Sequence, residues 1–139
     1  MRARRGGYTV EFVLLLPVWI SLIFGALDVG WLLYHAGALR TAGVLSCANA
    51  ATIDPGESDE NLALLTTAAD AALNTELATL GIALPSATVD VTVVGTAPSR
   101  RVNCTATADV ASLSKIVLLS RTVTRHASAQ LQWQRSEAP

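Results

Sequence analysis

Residues 12–34, FVLLLPVWISLIFGALDVGWLLY, contain a single charge, Asp28. As a helix rising about 1.5 Å per residue, the stretch reaches about 35 Å, enough to cross a hydrocarbon layer of about 30 Å. A lone segment in lipid must satisfy its own backbone polar groups, and a helix is the one way it can. Arg2, Arg4 and Arg5 precede the run and set its near end in the cytoplasm, while Trp31 and Tyr34 suit an interfacial belt at the far end. The rest of the chain is therefore expected outside the cytoplasm. A cleaved secretory signal would need a shorter apolar core with a small-residue cut site, which AGALRTAG at 36–43 imitates. Against that reading, Gly6 and Gly7 lie before the apolar run and the helical pattern continues beyond it.

With 139 residues there is room for one small domain and an appendage. Hydrophobic residues make up 51% but aromatic ones only 5%, so Ala, Leu and Val supply the mean hydropathy of +0.42. Cores of small side chains bury little area each, and small domains are already marginal, so support from a membrane, a covalent staple or neighbouring subunits is expected. A net charge of −1 and a pI of about 6.1 give no footprint for nucleic acid. The charge is uneven: the three arginines stand before the apolar run, and Asp54, Glu57, Asp59 and Glu60 cluster after the first helix.

Small residues recur on one helical face past the apolar run, at Ala36, Arg40, Gly43, Cys47 and Ala50, which predicts one helix from about Tyr8 to about Thr52. Pro17 lies inside it and removes one backbone hydrogen bond, which should bend it. Pro55 and Gly56 end it. A second helix follows, with Ser58 or Asp59 as N-cap, a stripe of Leu62, Leu65, Ala69, Leu73, Leu77 and Leu80, and Gly81 as C-cap. The period then becomes two. Val89, Val91 and Val93 form one alternating set, and Val102, Cys104, Ala106, Ala108 and Val110 a second. Val123, Ala127, Ala129, Leu131 and Trp133 form a third. The expected fold is α+β: a long helix, a second amphipathic helix and a small three-stranded antiparallel sheet. Residues 111–120, ASLSKIVLLS, admit a strand, a helical turn or a flap against the membrane.

Ahead of the apolar run, Gly6 is followed by Gly7-Tyr8-Thr9-Val10-Glu11-Phe12. A glycine, four residues, then Glu and an aromatic resembles the class III prepilin pattern. The continuation through FGALDVGWLLYHAGAL to CANAA resembles the TadE-like pseudopilins of the tight-adherence (Tad, or Flp) pilus, over roughly residues 4–50. Further on the likeness is one of architecture only.

That resemblance implies a pilin-like plan: residues 1–6 as a basic leader, 7–35 as a transmembrane helix and 36–139 as an extracytoplasmic head. It implies cleavage by a prepilin peptidase between Gly6 and Gly7. A cut after Gly7 would make Glu11 the fourth mature residue rather than the fifth. Glu11, with Phe12 beside it, is then the assembly residue, its carboxylate neutralising the new α-amino group of an adjacent subunit. An unpaired carboxylate in low dielectric is costly, so such a partner is expected. The plainer reading is an acid at a helix N-terminus, favoured by the dipole. Implied partners are other pilins and pseudopilins, the prepilin peptidase, the inner-membrane pilus platform and membrane lipid. The function implied is that of a minor pilin assisting pilus initiation or assembly. The alternative is a single-pass anchored binding protein that keeps its leader and never polymerises.

Asp28 is a second intramembrane acid, able to pair with a basic group on a neighbour or to face water near the headgroups. Ser21 and Gly25 form a small-xxx-small pair that allows close helix approach. Cys47 and Cys104 are expected to form a disulfide tying helix to sheet, with two buried free thiols as the other option. They show no ligand spacing with His35 and His126, so neither a metal nor another cofactor is expected. Ser112-Leu113-Ser114-Lys115 fits the S-x-x-K of serine acyl-transfer enzymes but has no companion motif, and no enzymatic activity is expected. His126 falls on a polar strand face, and DPGESDE lacks the oxygen spacing of a calcium loop.

Overall fold

The computed structural model describes residues 7–55, 60–96, 100–113 and 121–131, with side chains given from Val10 onward. Helix α1 runs from Gly7 to Ala50 as one element of 44 residues, about 66 Å at the usual rise, and continues through Pro17. Ser21 Oγ donates to the Pro17 carbonyl at 2.8 Å, one turn back. Helix α2 spans Leu62–Thr79, and the strands are β1 (Thr88–Val94), β2 (Arg101–Val110) and β3 (Arg121–Gln130). Their spatial order is β1-β2-β3, antiparallel throughout, with Val91 opposite Cys104 and Cys104 opposite Ala127. The α+β fold expected from the sequence is the one found.

Both helices pack on the same face of the sheet, α1 over β2 and β3 and α2 over β1. The alternation in β2 explains why. Val102, Cys104, Ala106, Ala108 and Val110 are all buried, while Arg101, Asn103 and Asp109 face out. With Ala at the centre of the sheet, α1 can lie close. A Cβ built on Gly43 would stand 3.3 Å from the Cβ of Ala106, tighter than ordinary contact. Leu39, Leu65, Leu73 and Leu131 are fully buried and provide most of the bulk that the small residues lack.

The end of α2 follows from its sequence. Gly81 takes φ +70°, the Gly81 N–H donates to the Ala78 carbonyl at 3.0 Å, and the Ile82 N–H to Leu77 at 2.9 Å. This pair of hydrogen bonds, flanked by apolar Leu77 and Ile82, is a Schellman ending. Three sequence expectations need correction. The residue before α2 is Asn61, not Ser58 or Asp59 (which lie outside the described residues), and its amide donates to the Asp54 carbonyl at 3.1 Å instead of capping. Leu80 is 44% exposed because it falls past the last helical turn. Arg40 does not join the buried face of α1. It is exposed, and Leu39 takes the interior place. Trp133 and residues 114–120 lie outside the described residues.

Candidate functional site: the N-terminal helix and its junction with the head

Helix α1 has two environments. From Val10 to Phe24 every residue is exposed, including Phe12, Leu14, Trp19 and Leu22 on different sides of the helix. A helix apolar all round and covered by no other described residue is stable in water only at great cost. In lipid it is at home. This is a helix long and apolar enough to span a membrane, consistent with anchoring. From Gly25 onward one side turns toward the head: Gly25, Asp28 and Leu32 are half-buried, and His35, Ala36 and Leu39 are buried. That three-and-four spacing is the helical period, read out by contact with the sheet.

Glu11 is exposed in the first part of this bare stretch and forms no ion pair among the described residues. Gly7 opens the helix, and Gly6 lies outside the described residues. Phe12 is 63% exposed and beside it. Gly7, Glu11 and Phe12, expected from the sequence to serve processing and assembly, all fall in the first two turns of α1.

Asp28 sits at the junction. Ser112 Oγ donates to its Oδ2 at 3.0 Å, across 84 residues of sequence, and so ties the end of β2 to α1. Around it is a cavity of about 260 Å³ lined by Gly25, Val29, Trp31, Leu32, Val110 and Arg121 among others. Sequence reading placed Asp28 toward a neighbour or toward water; its bond to Ser112 could not be read from spacing, because Ser112 follows β2 with no local signal. Lys115, its S-x-x-K companion, lies outside the described residues. Two turns further along α1, His35 is buried with Nδ1 2.9 Å from the Trp31 carbonyl, its ring against Trp31 and Tyr34. The bond is a donation from the imidazole N–H, since a carbonyl only accepts.

Cys47 and Cys104 form a disulfide with Cα atoms 5.7 Å apart, joining α1 to the centre of the sheet, and both are buried. His126 is exposed on the outer sheet face, its Nδ1 3.1 Å from Thr105 Oγ1. A contact that sequence reading missed is that of Asp70. Its Oδ1 accepts the Val89 N–H at 2.7 Å, so α2 closes part of the free edge of β1.

The chain thus joins a bare apolar helix, without a break, to a disulfide-stapled α+β head. Residues 6–43 match the family described as TadE-like protein. The match ends within α1 and leaves α2 and the sheet outside it. Comparison with curated proteins and with solved structures gives no match.

Proposed function

We propose that this chain is a minor pilin or pseudopilin that assists initiation or assembly of a Tad-type pilus by lateral packing of its N-terminal helix with those of other pilins. It is not an enzyme in this reading. The observation that carries it is the coincidence of the TadE-like match with a helix that is apolar, uncovered and interrupted by one acid near its start. The basic leader is held at the cytoplasmic surface, prepilin peptidase cuts between Gly6 and Gly7, and the new amino group at Gly7 becomes the cation that Glu11 of an adjacent subunit neutralises. The inner-membrane platform and neighbouring pilins then draw the helix from the lipid, and the head stands outside the cytoplasm.

Glycine placement supports helix packing between chains. A Cβ at Gly30 or Gly37 would meet nothing within 4 Å, so the chain's own fold does not call for glycine there. Each costs about 1 kcal/mol of helix stability relative to Ala. The two are seven residues apart, two turns on one face, and both are exposed. Small residues there let a second helix come close.

Mass measurement of the native N-terminus tests processing: a start at Gly7 is expected, and an intact Met1–Arg5 leader would overturn the proposal. Co-purification from membranes tests the acid. Glu11→Ala should reduce association with pilus components, and undiminished association would remove Glu11 from assembly.

A further inference from the structure

We infer that the cavity between α1 and the tip of the sheet holds one membrane phospholipid with a zwitterionic head, phosphatidylethanolamine, its phosphate on Arg121 and its ammonium on Asp28. Such a site presupposes that α1 crosses a membrane, as in the proposed function, and is independent of Glu11 and of leader cleavage.

Counted from Phe12, a hydrocarbon layer of about 30 Å takes about 20 helical residues and so ends near Trp31. On α1 the cavity is lined by residues from Gly25 to Leu32, which puts it at the boundary between acyl chains and headgroups. The sheet reaches the same level. The end of β2 at Val110, the following Ser112 and the start of β3 at Arg121 form the other wall, and Val110 pairs with Arg121 in register. The tip of the head is thus seated in the membrane surface rather than held clear of it. Val29 is 58% exposed and joins the cavity to the bare stretch of α1, so lipid has a way in.

The lining selects the occupant. Gly25 is half-buried, yet a Cβ there would meet nothing within 4 Å, so the fold leaves space at a residue that weakens the helix. The volume of about 260 Å³ falls short of the roughly 300–1,000 Å³ that encloses a whole small molecule, so part of a lipid enters and the rest stays in the bilayer. Val29, Leu32 and Val110 give apolar walls suited to an acyl chain. A chain passing from bilayer to such walls gains little, because both are apolar, and the choice among lipids falls to the polar groups. These include a base and an acid. Arg121 is exposed and shares the parity of Val123 and Ala127, toward the helices, and its planar fork of donors fits a phosphate. Asp28 accepts from Ser112 at 3.0 Å, and a carboxylate has acceptor positions beyond one bond. A primary ammonium donates hydrogen bonds to it, a quaternary ammonium has none to donate, and an anionic head would face a like charge. Phosphatidylethanolamine carries both the phosphate and the donating cation.

The test uses the full-length chain in phosphatidylcholine vesicles that hold equal minor shares of phosphatidylethanolamine and phosphatidylglycerol. Flotation checks anchoring, and mass spectrometry of the chain released in mild detergent counts the lipid it retains. Relative to its share, phosphatidylethanolamine should be retained about tenfold over either other lipid. R121Q should lower that retention about tenfold, and G25L, which fills the cavity, should abolish it. D28N should erase the preference over phosphatidylcholine, whereas S112A, which frees the end of β2 but leaves the carboxylate, should keep it. L33A, exposed at the same level of α1 but off the cavity, should behave as wild type. Protease resistance of the head checks that each variant folds. Equal retention of the three lipids, preference for phosphatidylglycerol, or wild-type retention by R121Q and G25L would overturn the inference. A chain that does not float with the vesicles would overturn the anchoring reading with it, whereas undiminished co-purification of Glu11→Ala with pilus components would bear on assembly alone.

Discussion

Removing the Cys47–Cys104 bond should unfold the head before it disturbs the apolar helix. The bond closes a loop with a sequence separation of 57. In the chain-entropy treatment a loop of that length removes about 14 cal/mol/K from the unfolded ensemble, or about 4 kcal/mol at room temperature. That is about a thousandfold in the folding equilibrium. A head this small has about that much stability in total, since its core is mostly Ala and Val and α1 lies against it only from Gly25 onward, on one side. The assay is urea unfolding of the full chain in detergent, followed by proteolysis of the head, for wild type, reduced wild type and C47A/C104A. With a slope of about 2 kcal/mol per molar urea, the midpoint should fall by about 2 M in both altered forms. Because both cysteines are buried, reduction of the wild type should require opening of the head and should accelerate with urea. A midpoint shift below about 0.5 M would refute the reasoning, since it would mean that packing between α1 and the sheet suffices without the covalent link.

Three further outcomes follow from single contacts. Gly43→Val should destabilise the head by about 1–3 kcal/mol, because the added carbons meet Ala106 where α1 is closest to β2; Gly37→Ala should be neutral or stabilising in the isolated chain, and both are read from thermal melts. Asp70→Ala should cost about 1–3 kcal/mol by stripping the acceptor from the buried Val89 N–H, with faster amide exchange at Val89 as the specific readout. Ser112→Ala should leave the global melt within about 1 kcal/mol of wild type while raising exchange at residues 111–113, since it frees the end of β2 from Asp28.

The division between what could and could not be read in the sequence is physical. The apolar span, the strand alternation and the Gly81 stop were legible because each is a local rule: transfer to lipid, a period of two, and a left-handed residue that only glycine adopts cheaply. Arg40 was misplaced because a small-residue face at three-and-four spacing tolerates two neighbouring phases, and only the position of the sheet selects Leu39 over Arg40. The cap of α2 was misread because Ser58, Asp59 and Asn61 are all capable of it, and contact with Asp54 decided the use of Asn61. The ties Asp28–Ser112 and Asp70–Val89 join residues far apart in the chain, and no spacing encodes them. For the candidate site, the residues from Gly7 to Phe12 stand out by type, since an acid at the mouth of an apolar helix is unusual. Its junction with the head becomes visible only in three dimensions.

The unbroken course of α1 from Gly7 to Ala50, fastened to the sheet at Cys47, makes the molecule a piston. With no break between the bare half and the half under the sheet, a displacement applied at the Gly7 end is carried to the head. Work done on the bare end thus reappears as lift or rotation of the outer surface.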